Sequence, residues 1–173
     1  RCRPASTGGI RFGMAGVKGV GTLVVDLIVA ERKRNGPFMS FMDFCERMDS
    51  QVVNKRVLES LIKSGAFDWT NISRARLFSG IDFVLGRVAA SQKDRRAGQS
   101  LLFDALDADK PKAAAGDEEI PECAPWPNLE MLKYEKELLG FYVSGHPLLH
   151  HKHEIAAYAQ ADIAALADME PGA

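Results

Sequence analysis

The six residues Val17-Lys18-Gly19-Val20-Gly21-Thr22 carry the first chemistry legible in the chain. Two glycines around one apolar residue suit a tight turn, because Gly19 and Gly21 accept backbone angles that a Cβ resists while Val20 fills the crevice between flanking helices. Such a turn leaves backbone N–H groups uncovered. A helix opening straight after it aims its own unsatisfied N–H groups and the positive end of its dipole at the same point, where an anionic oxygen is favoured. Nucleic-acid phosphate is the natural candidate, with the amides of Gly19, Val20 and Gly21 as donors, Thr22 beside them and Lys18 adding a cation. Phosphate can be met directly or through a bridging ion, and the residues are compatible with both. Gly-Val-Gly also reads as a turn that only packs two helices, so its surroundings must decide.

A second chemistry sits at Gln99-Ser100-Leu101-Leu102-Phe103. These apolar residues precede an acidic, proline-containing, alanine-rich run over 104–127 that composition marks as a flexible linker, so no local core awaits them. Segments that dock in a partner's groove have this form, an amide to fix register and apolar anchors to supply burial. Folding back onto the chain's own domain is the alternative. A third group, His146, His150, His151 and His153, invites a metal. Metal sites need three or four ligands and groups that orient them, whereas this run contains a proline and only Glu154 as a nearby carboxylate, so no metal is assigned.

Around these groups the apolar spacing predicts helices. Ile10, Phe12, Met14 and Ala15 form the arm before the glycine turn, and Leu23, Val24, Leu27 and Ile28 stripe the helix after it, with Thr22 as its N-cap. Arg32, Lys33 and Arg34 occupy that helix's last turn before Asn35-Gly36-Pro37, where they suit the helix C-terminus and also reach toward a neighbouring phosphate. Ser40 with Asp43 opens a helix carrying Phe41, Phe44, Cys45 and Met48. Asn54 opens another, with Val57, Leu58, Leu61 and Ile62, closed by Gly65. This pair has no glycine turn and is expected to buttress the first. Asn71 or Ser73 begins a longer helix through Val88, with Gly86 inside it. Arg74 and Arg76 stand at its start, where the dipole disfavours cations, which implies a phosphate or carboxylate partner. Trp126-Pro127-Asn128 opens a charged helix to Leu139.

The totals narrow the class. The chain has 173 residues and a net charge of −1, but the charge is divided: residues 1–100 hold 17 Lys and Arg against 9 Asp and Glu, residues 101–173 hold 5 against 14. The first part is therefore built to meet polyanions. No apolar run reaches the roughly 20 residues of a membrane span. Cys2, Cys45 and Cys123 are far apart and form no CxxC pair, which fits a reducing cytoplasm.

The pattern of apolar, any residue, Gly, apolar, Gly before an apolar-striped helix resembles the helix-hairpin-helix module, with Lys18 where many such modules carry proline. Gln99, Leu102 and Phe103 resemble the bacterial sliding-clamp-binding motif Gln-x-x-Leu-Phe, in which the glutamine contacts the clamp and the last two apolar residues enter a pocket. In combination, IRFGMAGVKGVG (10–21), NGPFMSFMDFCERMD (35–49), VNKRVLESLIKSGAFD (53–68), GQSLLF (98–103) and EKELLGFYVSGHPL (135–148) resemble the bacterial DNA polymerase III alpha-subunit family.

That resemblance implies a mostly α region lying after the polymerase fingers. It divides into a tether at 1–9, a tandem helix-hairpin-helix-like domain at 10–98, the clamp motif at 99–103, the linker at 104–127 and a helical connector at 128–173 toward an oligonucleotide-binding barrel. The family's catalytic aspartates, and the Mg2+ they take, have no counterpart here, so no residue is expected to be catalytic and no cofactor is expected in this stretch. The implied partners are double-stranded DNA held without regard to sequence, the sliding clamp (beta subunit) and other replicase subunits, with no membrane. A helical scaffold that joins a polymerase core to the barrel without touching DNA is the competing expectation.

Overall fold

The computed structural model describes residues 3–4, 10–96 and 117–159. They are mostly α-helical, in the order β1 (Arg3–Pro4), β2 (Ile10–Arg11), a 3-10 turn at Met14–Gly16, α1 (Thr22–Asn35), α2 (Phe41–Arg47), α3 (Lys55–Lys63), a 3-10 turn at Asp68–Thr70, α4 (Arg74–Ser79), α5 (Ile81–Arg96), α6 (Asn128–Leu139), a 3-10 turn at Pro147–His151 and α7 (Lys152–Tyr158). Gln99, Leu102 and Phe103, with residues 104–116 of the expected linker, lie outside the described residues.

The caps that polar residues predict are largely in place. Ser40 Oγ accepts the Asp43 amide at 2.9 Å, Asn54 Oδ1 accepts that of Val57 at 3.1 Å, and Ser73, not Asn71, caps α4 through the Arg76 amide. Gly65 has φ 83° beyond the end of α3, the left-handed conformation that ends a helix most cheaply with glycine. Helix α3 is central: α4, α5 and α6 all pack on it. The core around it holds the fully buried Phe41, Leu58, Leu61, Ile62, Leu77, Ile81 and Val84. Phe67 joins α2 to this core by edge-on contacts with Phe41 at 4.9 Å and Phe44 at 5.0 Å between ring centroids.

Three expectations are corrected. The arm before the glycine turn is not a helix: Ile10–Arg11 pairs antiparallel with Arg3–Pro4, and only Met14–Gly16 coils. So short a stretch, broken by Gly13 and Gly16, forms too few helical bonds to offset nucleation, and its first strand partner comes from the segment assigned to a tether. The long helix from Ser73 is two helices divided at Gly80. A Cβ there would overlap the Ile120 side chain and lie 3.2 Å from the Arg76 carbonyl, so the bare glycine makes room for Ile120.

The third correction concerns the end of the linker. Asp117 is buried, and its carboxylate accepts the amides of Phe41 at 2.7 Å and Met42 at 2.8 Å, sealing the N-terminus of α2. Ile120 is buried against the core, and Trp126 stacks edge-on between Phe78 and Tyr134. Asp117, Ile120 and Trp126 are thus packed onto the helices, and Leu138 and Leu139 of α6 pack against the same core.

Candidate nucleic-acid interface

The glycine turn is built as its residues dictate, with one donor reassigned. Val17 and Val20 are buried, while Lys18, Gly19 and Gly21 are exposed. The Val20 amide donates to the Val17 carbonyl at 3.1 Å, which closes the turn and removes Val20 from the expected phosphate donors. Lys18 is anchored by its backbone, its amide donating to Leu138 at the end of α6 at 3.0 Å, and its side chain is left to solvent. Phe12 meets Phe141 edge-on at 5.0 Å, so the arm leading into the turn rests on the end of α6 and the segment after it.

The two glycines serve different needs. Gly19 has φ 84°, and a Cβ on it would stand 2.8 Å from Ser60 Oγ on α3, so both its backbone angle and its close approach to α3 exclude a side chain. Gly21 has the ordinary φ of −70° with ψ 155° and nothing within 4 Å of a built Cβ. It is the N-cap of α1, the position expected for Thr22, which instead is the first helical residue. No side chain caps α1, and its first internal bond runs from the Val25 amide to the Gly21 carbonyl at 3.3 Å. The amides of Gly19, Gly21, Thr22, Leu23 and Val24 therefore have no acceptor among the described residues, and Lys18, Gly19, Gly21, Thr22 and Leu23 are exposed. Helix α2 fills its equivalent position with Ser40 and Asp117, α3 with Asn54, α4 with Ser73. Only amides left open in this way can receive an outside anion.

Arg32, Lys33 and Arg34 are exposed in the last turn of α1. At 1.5 Å per residue they stand roughly 18 Å along the helix from Gly21, about five base pairs of B-form DNA. The structure does not join them to the turn; it puts them at the other end of the same exposed helix. For Arg74 the carboxylate alternative holds, and neither Arg74 nor Arg76 is left for DNA. Arg74 is buried: its Nη1 donates to Glu135 at 2.8 Å, its Nη2 to Asp68 at 2.5 Å and to Ser144 at 3.2 Å. The bonds from Asp68, then those from Glu135, raise its pKa further above the usual arginine value against the opposing effect of burial. Arg76 donates to the carbonyls of Ile120, at 2.7 and 3.0 Å, and Glu118. Their partners are internal, not phosphate.

Glu135, at the far side of that pair, is fully buried. Besides Arg74 it accepts the amides of Val143 at 2.7 Å and Ser144 at 2.9 Å, and the Ser144 hydroxyl at 2.5 Å. Burial pushes its carboxyl up, but the Ser144 and Val143 bonds with that from Arg74 outweigh it and hold the group below the ordinary 4.5. Glu135 escaped the sequence reading, although a signal was present: it lies three residues from Leu132 and from Leu138, on the apolar stripe of α6. The histidine run gathers no such set. Among the described residues no three His, Cys, Asp or Glu side chains converge as a metal site, and no helix is long and apolar enough to cross a membrane.

A family model described as "Helix-hairpin-helix motif" matches residues 1–77. The chain is similar to the DNA polymerase III subunit alpha of Borreliella burgdorferi, 41% identical over 155 residues that cover 90% of this chain and 13% of the relative. It is similar to that of Thermus aquaticus, 42% identical over 142 residues, 82% of this chain and 11% of the relative, and to that of Escherichia coli strain K12, 35% identical over 164 residues, 95% and 14%.

Proposed function

The chain belongs to the DNA polymerase III alpha-subunit family, and from that premise we propose that it is a non-catalytic region of a replicative DNA-directed DNA polymerase that holds duplex DNA and the sliding clamp. It spans only 11% to 14% of the length of the relatives compared above. Polymerisation, with its catalytic aspartates and Mg2+, is assigned to the remainder of such a protein, acting in the cytoplasm with the other replicase subunits.

One observation carries the DNA-binding half of this reading: α1 opens on bare Gly21 with its first amides unused, three residues after the exposed Lys18. A backbone phosphate placed there takes several charge-assisted bonds from main-chain N–H groups, which position a duplex and ignore its base sequence. A replicase needs such indifference. The exposed Arg32, Lys33 and Arg34 add charge further along the same duplex. The clamp half rests on Gln99, Leu102 and Phe103, the glutamine fixing register and the two apolar residues filling a pocket on the clamp. Two attachments on one chain make the second effectively intramolecular, so contacts that are individually weak give long residence on DNA.

The two halves separate experimentally. Replacing Gln99 and Phe103 together with alanine is expected to abolish binding to the clamp, read by surface plasmon resonance, while affinity for naked duplex stays within about twofold. Equal loss of both affinities would refute the division into two sites.

A further inference from the structure

One cation given no role above stands on the helix against which the glycine turn packs. Arg56 stands in the first turn of α3 and is exposed. Its neighbour Lys55 is held by Asp82, with Nζ 2.8 Å from Oδ1 and 2.7 Å from Oδ2. The arginines paired with carboxylates among the described residues are Arg47, Arg74 and Arg87, and Arg76 is spent on carbonyls. The Arg56 guanidinium has no partner there. A cation at the positive end of a helix is unfavourable unless an anion joins it. Because Asn54 already occupies the Val57 amide, such an anion would be met at this end by the arginine side chain.

The position of Arg56 indicates which anion. Four residues on, along the same face of α3, stands Ser60. Its hydroxyl donates to the Arg56 carbonyl at 3.0 Å, and it is the atom against which Gly19 packs. Arg56 therefore stands one helical turn, roughly 6 Å of rise, N-terminal to the point on which the hairpin packs, and its side chain leans toward the N-terminal end of α3, next to that point and not onto it. We propose that Arg56 binds the backbone phosphate adjacent to the one taken by the α1 amides, so that α1 and α3 grip neighbouring phosphates of one duplex. The inference rests on the phosphate-binding reading of the turn and extends it to a second helix, the one expected only to buttress.

The test uses the full 173-residue chain and a short random-sequence duplex over a range of salt concentrations. Arg56→Gln is expected to weaken binding about 3–10-fold at moderate salt and to reduce the slope of log K against log salt by about 0.9, the loss of one phosphate contact. Arg56→Lys is expected to keep the slope, and circular dichroism to show all variants equally folded. If wild-type binding is salt-dependent and fails in Gly21→Asp, yet Arg56→Gln changes neither affinity nor slope, the Arg56 assignment is overturned and the hairpin reading stands. A wild-type chain with no salt-dependent affinity for duplex overturns both.

Discussion

Arg74→Met is expected to cost the helical unit about 3–5 kcal/mol of stability, measured by chemical denaturation, because it leaves the Glu135 carboxylate buried without its cation. Glu135 joins three elements through one side chain: Arg74 of α4, its own helix α6, and the amides of Val143 and Ser144 that follow. Removing both charges is less harmful than removing one. The double variant Arg74→Met, Glu135→Leu is expected to lose less than Arg74→Met alone, since an apolar pair leaves no buried charge to solvate. Only the double removes the acceptor of the Val143 and Ser144 amides, so amide exchange at those two positions should be faster in the double than in Arg74→Met, which keeps Glu135.

The same carboxylate sets a pH dependence. Its folded pKa lies below the ordinary 4.5, so the unfolded chain takes up the proton first as pH falls. The stability that Glu135 contributes is complete above the unfolded value and drains away as pH falls from about 4.5 through the lowered folded value. Wild type should therefore lose stability in that window, and the double variant should show a flatter profile.

Gly21→Asp is expected to move stability and DNA binding in opposite directions. The position already has the extended backbone of an N-cap and open space around it. An aspartate there accepts the amides of α1 with its own carboxylate and should stabilise the helix by several tenths of a kcal/mol, up to about 1 kcal/mol. That carboxylate also occupies the place of a phosphate. Loss of one charge-assisted bond, worth about 1.5–3 kcal/mol, corresponds to a roughly 10–100-fold weaker duplex affinity. Gly21→Ala has room for its methyl group and leaves the amides uncovered, so it should bind within about threefold of wild type. A turn that merely packs two helices predicts no such divergence between stability and binding.

Local signals in the chain were good guides, and non-local ones were not. Ser40, Asn54, Ser73 and Gly65 mark helix ends through bonds to residues within a turn, and these ends stand where the spacing places them. Val20 is buried, as its place between two turn glycines implies. The need for glycine at Gly80, by contrast, comes from Ile120, forty residues later, whereas a Cβ on Gly86 would meet nothing. Arg74 and Arg76 stand out correctly as cations in an unfavourable place. Asp68, one of Arg74's partners, lies six residues before it, but the others, Glu135 and the carbonyls of 118 and 120, come from a segment whose composition reads as linker and connector. At the candidate site the turn itself was legible from its glycines, whereas the inward amide of Val20 and the approach of Ser60 to Gly19 exist only once α3 has packed.

The central claim is that unused main-chain amides at the start of α1 receive a duplex phosphate. It is tested most directly by titrating the 15N-labelled chain with a short random-sequence duplex and following individual amide resonances. The amides of Gly19, Gly21, Thr22 and Leu23 are expected to shift progressively and saturate together, while those of Met42 and Val57, already bonded to Asp117 and Asn54, stay in place. Shifts confined to other surfaces, with the four hairpin amides unmoved at saturation, would contradict it.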